Sequence, residues 1–171
     1  MSLIASFWTL GAEHQSRLVD AFRPVIQKQT ESRWLFFSKA HEKKIYPWFD
    51  YLKNNAKEEA PFQHSGACML DLELMLPDGS SLFSQSLPES RDLSASAQGS
   101  IALIDEPIAR VAEDRLSAFT LTEHDVIAFY ESDGRPLTEK ADALPILEAH
   151  RHLITWCKTV LPGRIGLLNI G

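Results

Sequence analysis

Four pairs of side chains in this 171-residue sequence are of the types that catalysis or metal binding uses. His64 and Cys68 set a base near a thiol, the combination that activates a cysteine nucleophile. A thiolate needs a positive field to lower its pKa, however, and Cys68 falls on the apolar face of an expected strand, which raises it. Asp71 and Glu73 share the other face of that strand, where two carboxylates would do acid–base work, hold a divalent ion or meet a basic partner. The same alternation turns that face to water, so the pair reads first as a polar outer surface. His150 and His152 flank Arg151 on the expected last helix, where residues two apart point about 200° apart and cannot grip one metal. His64 with Cys68, or His150 with Cys157, supplies half a zinc site, and no spacing joins the halves. Gly163-Arg-Ile-Gly166 lacks a third glycine and precedes a strand, so it reads as a turn and not as a phosphate cradle. No Gly-x-Ser-x-Gly elbow occurs. The expectation is no catalytic residue, no metal and no cofactor.

Composition departs from that of an ordinary domain in one place. Trp34, Phe36, Phe37, Tyr46, Trp48, Phe49 and Tyr51 are seven of the sixteen aromatic residues, and Lys39, Lys43, Lys44 and Lys53 lie among or beside them. The simplest reading makes most of these rings core, with lysines snorkelling at its edge. Rings with cations also suit stacking of single-stranded bases, and Trp, Tyr and Phe populate the centres of protein interfaces. A net charge of −6 disfavours nucleic acid, although residues 33–57 run against it with six Lys/Arg and two carboxylates. Protein binding therefore takes precedence among the surface readings. The residues expected to meet a partner are Trp48, Tyr51, Lys43, Lys44, Asp71 and Glu73.

Periodicity names the elements that must position these residues. Leu3 to Leu10 reads as a first strand ended by Gly11, and a helix from Ala12 breaks near Arg23 because Pro24 sits inside its pattern. Ser32 to Ser38 leans towards helix. Pro47 opens an amphipathic helix through Trp48, Phe49, Tyr51 and Leu52. Cys68, Leu70, Leu72, Leu74 and Leu76 alternate as in a strand, and Pro77-Asp78-Gly79 turns it back on Ser81 to Phe83, giving a Cys68–Phe83 hairpin. Serine-rich 84–100 reads as a flexible loop. Ile101 to Ile104 is a strand, and Asp105-Glu106-Pro107 caps a helix. Thr122 and Asp125 have capping-box spacing, yet Val126 to Tyr130 is taken as a strand before Ser-Asp-Gly. Pro145 opens a last helix with the stripe Ile146, Ala149, Leu153, Trp156, Cys157 and Val160; Pro162-Gly163 ends it, and Ile165 to Ile170 is a strand covered on both faces.

The expected architecture is a single α+β domain over 1–171, with a small mixed or antiparallel sheet packed on several helices and its N- and C-terminal strands side by side. No apolar run approaches the roughly 20 residues a membrane span needs, no basic leader opens the sequence, and the cytoplasm is the default compartment. By elimination, the expected function is a non-catalytic protein-binding domain of bacterial type, such as an immunity-type inhibitor of a basic toxin or nuclease. The alternatives are a small hydrolase using His64 and Cys68 or Asp71 and Glu73, and an oligomeric structural protein joined through the aromatic segment.

Overall fold

The computed structural model of the protein describes residues 3–30, 40–77, 79–137 and 143–171. Strand β1 (Ala5–Gly11) leads through a 3-10 turn into helix α1 (Gln15–Ala21). Strands β2 (Val25–Thr30) and β3 (Ala40–Ile45) follow, then α2 (Trp48–Asn55) and the two-residue β4 (Lys57–Glu58). Helices α3 (Ala67–Met75), α4 (Leu82–Gln85) and α5 (Ser90–Ala97) precede β5 (Ser100–Asp105). Helices α6 (Glu106–Ala118), α7 (Glu123–Ser132) and α8 (Leu144–Thr159) precede the last strand, β6 (Arg164–Ile170).

The fold is α+β, with an open antiparallel sheet of order β4-β1-β6-β5. β6 pairs along its whole length with β1, from Ala5↔Ile170 to Gly11↔Arg164, and on its other side with β5, from Ser100↔Ile170 to Asp105↔Ile165. The terminal strands are thus neighbours, and the almost wholly apolar β6 is central. Alternation along these strands feeds two cores. Phe7, Ala102, Ile104 and Leu168 meet Met69, Leu72, Ala112, Leu153 and Trp156 of α3, α6 and α8. Trp8, Leu10, Leu103 and Leu167 meet Leu18, Phe22, Leu52 and Leu93 around α1, α2 and α5. Phe7 and Trp156 stack at 5.4 Å with planes 7° apart. That stack requires glycine at 166, where a Cβ would lie 2.5 Å from Phe7 Cζ and 2.7 Å from Val160 Cγ2.

Local chemistry sets several boundaries as expected. Asp105 Oδ1 accepts from the Ile108 N–H at 3.0 Å and starts α6. The six stripe residues of the last helix, Ile146 to Val160, are all buried. Other expectations are corrected. Residues 67–75 form helix α3 and residues 82–85 form α4, so there is no Cys68–Phe83 hairpin. The 67–76 stretch is rich in Leu and Met and has no β-branched residue, so helix propensity outweighs an alternation that also fits a helix with Met69, Leu72 and Leu76 buried. Val126–Tyr130 belongs to helix α7, because Thr122 and Asp125 complete a capping box with bonds of 2.9 and 3.2 Å. The 84–100 segment, expected as a loop, contains α5. The helix does break before Pro24, and the chain beyond it enters strand β2. The expected helix at 32–38 lies outside the described residues.

Candidate functional site

The chain leaves the sheet after α1 and returns at α2, and between them β2 and β3 form an antiparallel two-stranded ribbon from Val25↔Ile45 to Thr30↔Ala40. Among the described residues these strands pair only with each other. Both edges of such a ribbon offer unpaired backbone donors and acceptors, and two strands alone are marginally stable. Lys44 registers opposite Ile26 and Lys43 opposite Gln27.

Helix α2 follows the ribbon in the chain, separated from Ile45 by two residues. Its Leu52 is fully buried in the core that Trp8, Leu10, Leu18 and Phe22 share. Trp48 is half-buried and stacks on the buried Phe22 at 4.9 Å, with planes 7° apart. Phe49 meets Trp48 edge-on at 5.6 Å and Trp8 at 6.2 Å, and Lys53 Nζ lies 4.4 Å above its ring centre. Tyr51 is half-buried, its hydroxyl bonded to His14 Nδ1 at 2.8 Å. None of the four described rings of the aromatic segment is fully buried, and Tyr46 and Phe49 remain 37% and 44% exposed. On the ribbon, Val25 and Ile26 are also exposed, at 51% and 57%, and as consecutive strand residues they stand on its two opposite faces. Aromatic count and lysine content announced the region, but the outward turn of Phe49 and the exposure of Val25 and Ile26 had no signal in composition. Trp34, Phe36 and Phe37 lie outside the described residues.

Asp71 and Glu73, expected side by side, are separated by the helix. Asp71 Oδ2 accepts from the Tyr130 hydroxyl at 2.6 Å, and its Oδ1 accepts from Arg135 Nη2 at 3.1 Å. Burial, reinforced by the hydrogen bond to Asp71, pushes the Tyr130 phenol up. Glu73 turns inward, accepting from the Ser81 hydroxyl and, at 3.1 Å, from the Leu82 N–H, so it anchors the start of α4. Burial pushes its carboxyl up to about 7 against the pull of the Leu82 and Phe83 amides. Neither carboxylate is presented freely to a partner.

The thiol and imidazole pairs also part. His64 Nε2 bonds Glu148 Oε2 at 2.6 Å, and no bond to Cys68 competes. Cys68 is half-buried, and burial with the nearby charge of Asp71 pushes its thiol up, the wrong direction for a nucleophile. His150 bonds the Leu116 carbonyl at 3.0 Å, whereas His152 packs edge-on against Phe62 and Trp156. Burial holds both imidazoles below their usual value, and it pushes Cys157 up to about 12. Among the described residues no group of three His, Cys, Asp or Glu side chains is placed to hold a metal ion. The pairing of His64 with Glu148 spans 84 residues and had no local signature. The chain matches no family model, no curated protein and no solved structure.

Proposed function

We propose that this protein is a non-catalytic protein-binding domain that docks its partner on the β2–β3 ribbon and on the aromatic shelf of Tyr46, Trp48 and Phe49 that follows it in the chain. The observation that carries this reading is a ribbon whose two edges have no strand partner among the described residues, followed in the chain by half-exposed aromatic rings, which combines backbone valence with apolar area. The basic balance of residues 33–57 favours a partner surface rich in carboxylates. An inhibitor of a basic toxin would need a different, acidic surface and would draw on carboxylates other than Asp71 and Glu73, since both are engaged within the chain. The hydrolase alternative loses support because His64 faces Glu148 and the Cys68 thiol is held in its neutral form.

The test is affinity capture from a lysate of the source cells with tagged wild-type protein, the Lys43→Glu/Lys44→Glu variant and Phe49→Ala, each first shown to be folded by circular dichroism. The expected result is a stoichiometric, salt-sensitive protein bound by the wild type and lost, or weakened more than about tenfold, in both variants. Equal capture by all three proteins, or none by folded wild type, removes the ribbon from the proposal.

A further inference from the structure

Strand β5 ends the sheet, so the outward N–H and C=O groups of Ile101 and Leu103 have no neighbouring strand among the described residues. They are nevertheless satisfied. Ser94 Oγ accepts from the Ile101 N–H at 2.9 Å and donates to the Ile101 carbonyl at 3.2 Å. Ser90 Oγ accepts from the Leu103 N–H at 2.9 Å, and the Leu103 carbonyl takes the Leu87 N–H at 2.7 Å. The match is metrical. Four residues of helix rise about 6 Å, and two residues of strand about 6.6 Å, so hydroxyls at i and i+4 of α5 fall on alternate residues of β5. A hydroxyl both accepts and donates, as the backbone of one residue in a paired strand does.

The strap that carries these hydroxyls is lightly held. α5 contributes one fully buried apolar side chain, Leu93, to the core. It ends at Gln98 with φ 55°, a left-handed conformation that disfavours a side chain. Beside it runs a cleft of about 650 Å³ bordered by Phe83, Leu87, Arg91 and Ile101, so space already adjoins the edge. The edge beneath is self-complementary. In an antiparallel pair of β5 with a second β5 centred on Ala102, Ile101 of each copy stands opposite Leu103 of the other, and both pairs exchange two hydrogen bonds.

We propose that α5 is a guard strap whose Ser90 and Ser94 occupy the hydrogen-bonding places of a fifth strand, and that lifting it opens β5 to pairing with β5 of a second copy of this chain. This inference is independent of the ribbon and survives or fails without it.

The test compares the wild type with Ser90→Ala/Ser94→Ala and with Ser90→Thr/Ser94→Thr, using sedimentation velocity and a labelled peptide of residues 100–105. The alanine double variant is expected to dimerise with rising concentration and to bind the peptide at least about tenfold more tightly than the wild type does. The same peptide N-methylated at its Ile101 and Leu103 positions should not bind, and the threonine variant, which keeps both hydroxyls, should stay monomeric. A folded alanine variant that remains monomeric overturns the proposal, whether its Ile101 and Leu103 amides exchange slowly or fast. Should that variant fail to fold, hydrogen exchange of the wild type decides. A strap that lifts lets the Ile101 and Leu103 amides exchange about tenfold or more faster than that of the central Leu167, whereas exchange of all three at one common rate overturns the proposal.

Discussion

Two places in this protein pose the same problem of unpaired strand valence and treat it in opposite ways. At β5, two serine hydroxyls and the Leu87 amide satisfy the outward groups of Ile101 and Leu103 from within the chain. At the β2–β3 ribbon, no described residue pairs with either outer edge, and the surroundings are exposed Val25, Ile26, Tyr46 and Phe49. A bare edge invites another chain, and proteins that need to avoid such contact cover or charge it. On the proposed reading, the ribbon is the surface that meets a partner and β5 the one held in reserve.

The largest effect should come from removing the cover. Ser90→Ala with Ser94→Ala strips hydrogen bonds from three backbone groups of Ile101 and Leu103, which cost about 1–3 kcal/mol each when left unsatisfied, so chemical denaturation should register a loss of about 3 kcal/mol or more. The matched change on the open side, Lys43→Glu with Lys44→Glu, should leave stability within about 0.5 kcal/mol. If the two double variants were equally destabilised, the asymmetry between guarded and open edges would not hold.

The second effect is a pH dependence on the guarded side. Glu73 anchors the segment that leads into α4, and its carboxyl is raised by burial from 4.5 to about 7. The folded protein therefore holds this proton more tightly than the unfolded chain does. Stability from this group is fully present below pH 4.5 and falls as the pH climbs to about 7 and beyond, by about 3 kcal/mol in all. Glu73→Gln should flatten that slope in a series of thermal melts from pH 4 to 8; an unchanged slope would assign it to other groups.

Smaller effects belong to the aromatic shelf. Trp48→Ala removes a half-buried ring stacked on Phe22, and the expected loss is about 2 kcal/mol, short of the 3–5 kcal/mol typical of a fully buried aromatic. Phe49→Ala should change stability by less than about 1 kcal/mol while weakening partner capture strongly, because that ring is 44% exposed. A full core-sized loss at Trp48, with no loss of capture at Phe49, would make the shelf an extension of the core.

What the linear sequence determined is what local chemistry and unambiguous period determine. The first and last strands, Leu3–Leu10 and Ile165–Ile170, the Asp105 cap and the stripe from Ile146 to Val160 were legible because each has one dominant pattern and no competing one. Residues 68–76 were not, because their leucines satisfy both a twofold and a helical repeat, and the choice falls to helix propensity together with the burial of Met69, Leu72 and Leu76. The sites were less legible than the fold. The aromatic and basic segment showed in composition, but exposure of Phe49 depends on which face Leu52 buries. Asp71 with Arg135, His64 with Glu148 and Ser94 and Ser90 of α5 with β5 are matches across space, made between groups 64, 84, 7 and 13 residues apart. Tertiary structure alone decided them, because a hydrogen bond is set by where two groups finally stand, and sequence spacing constrains that only within a helix turn or a strand pair.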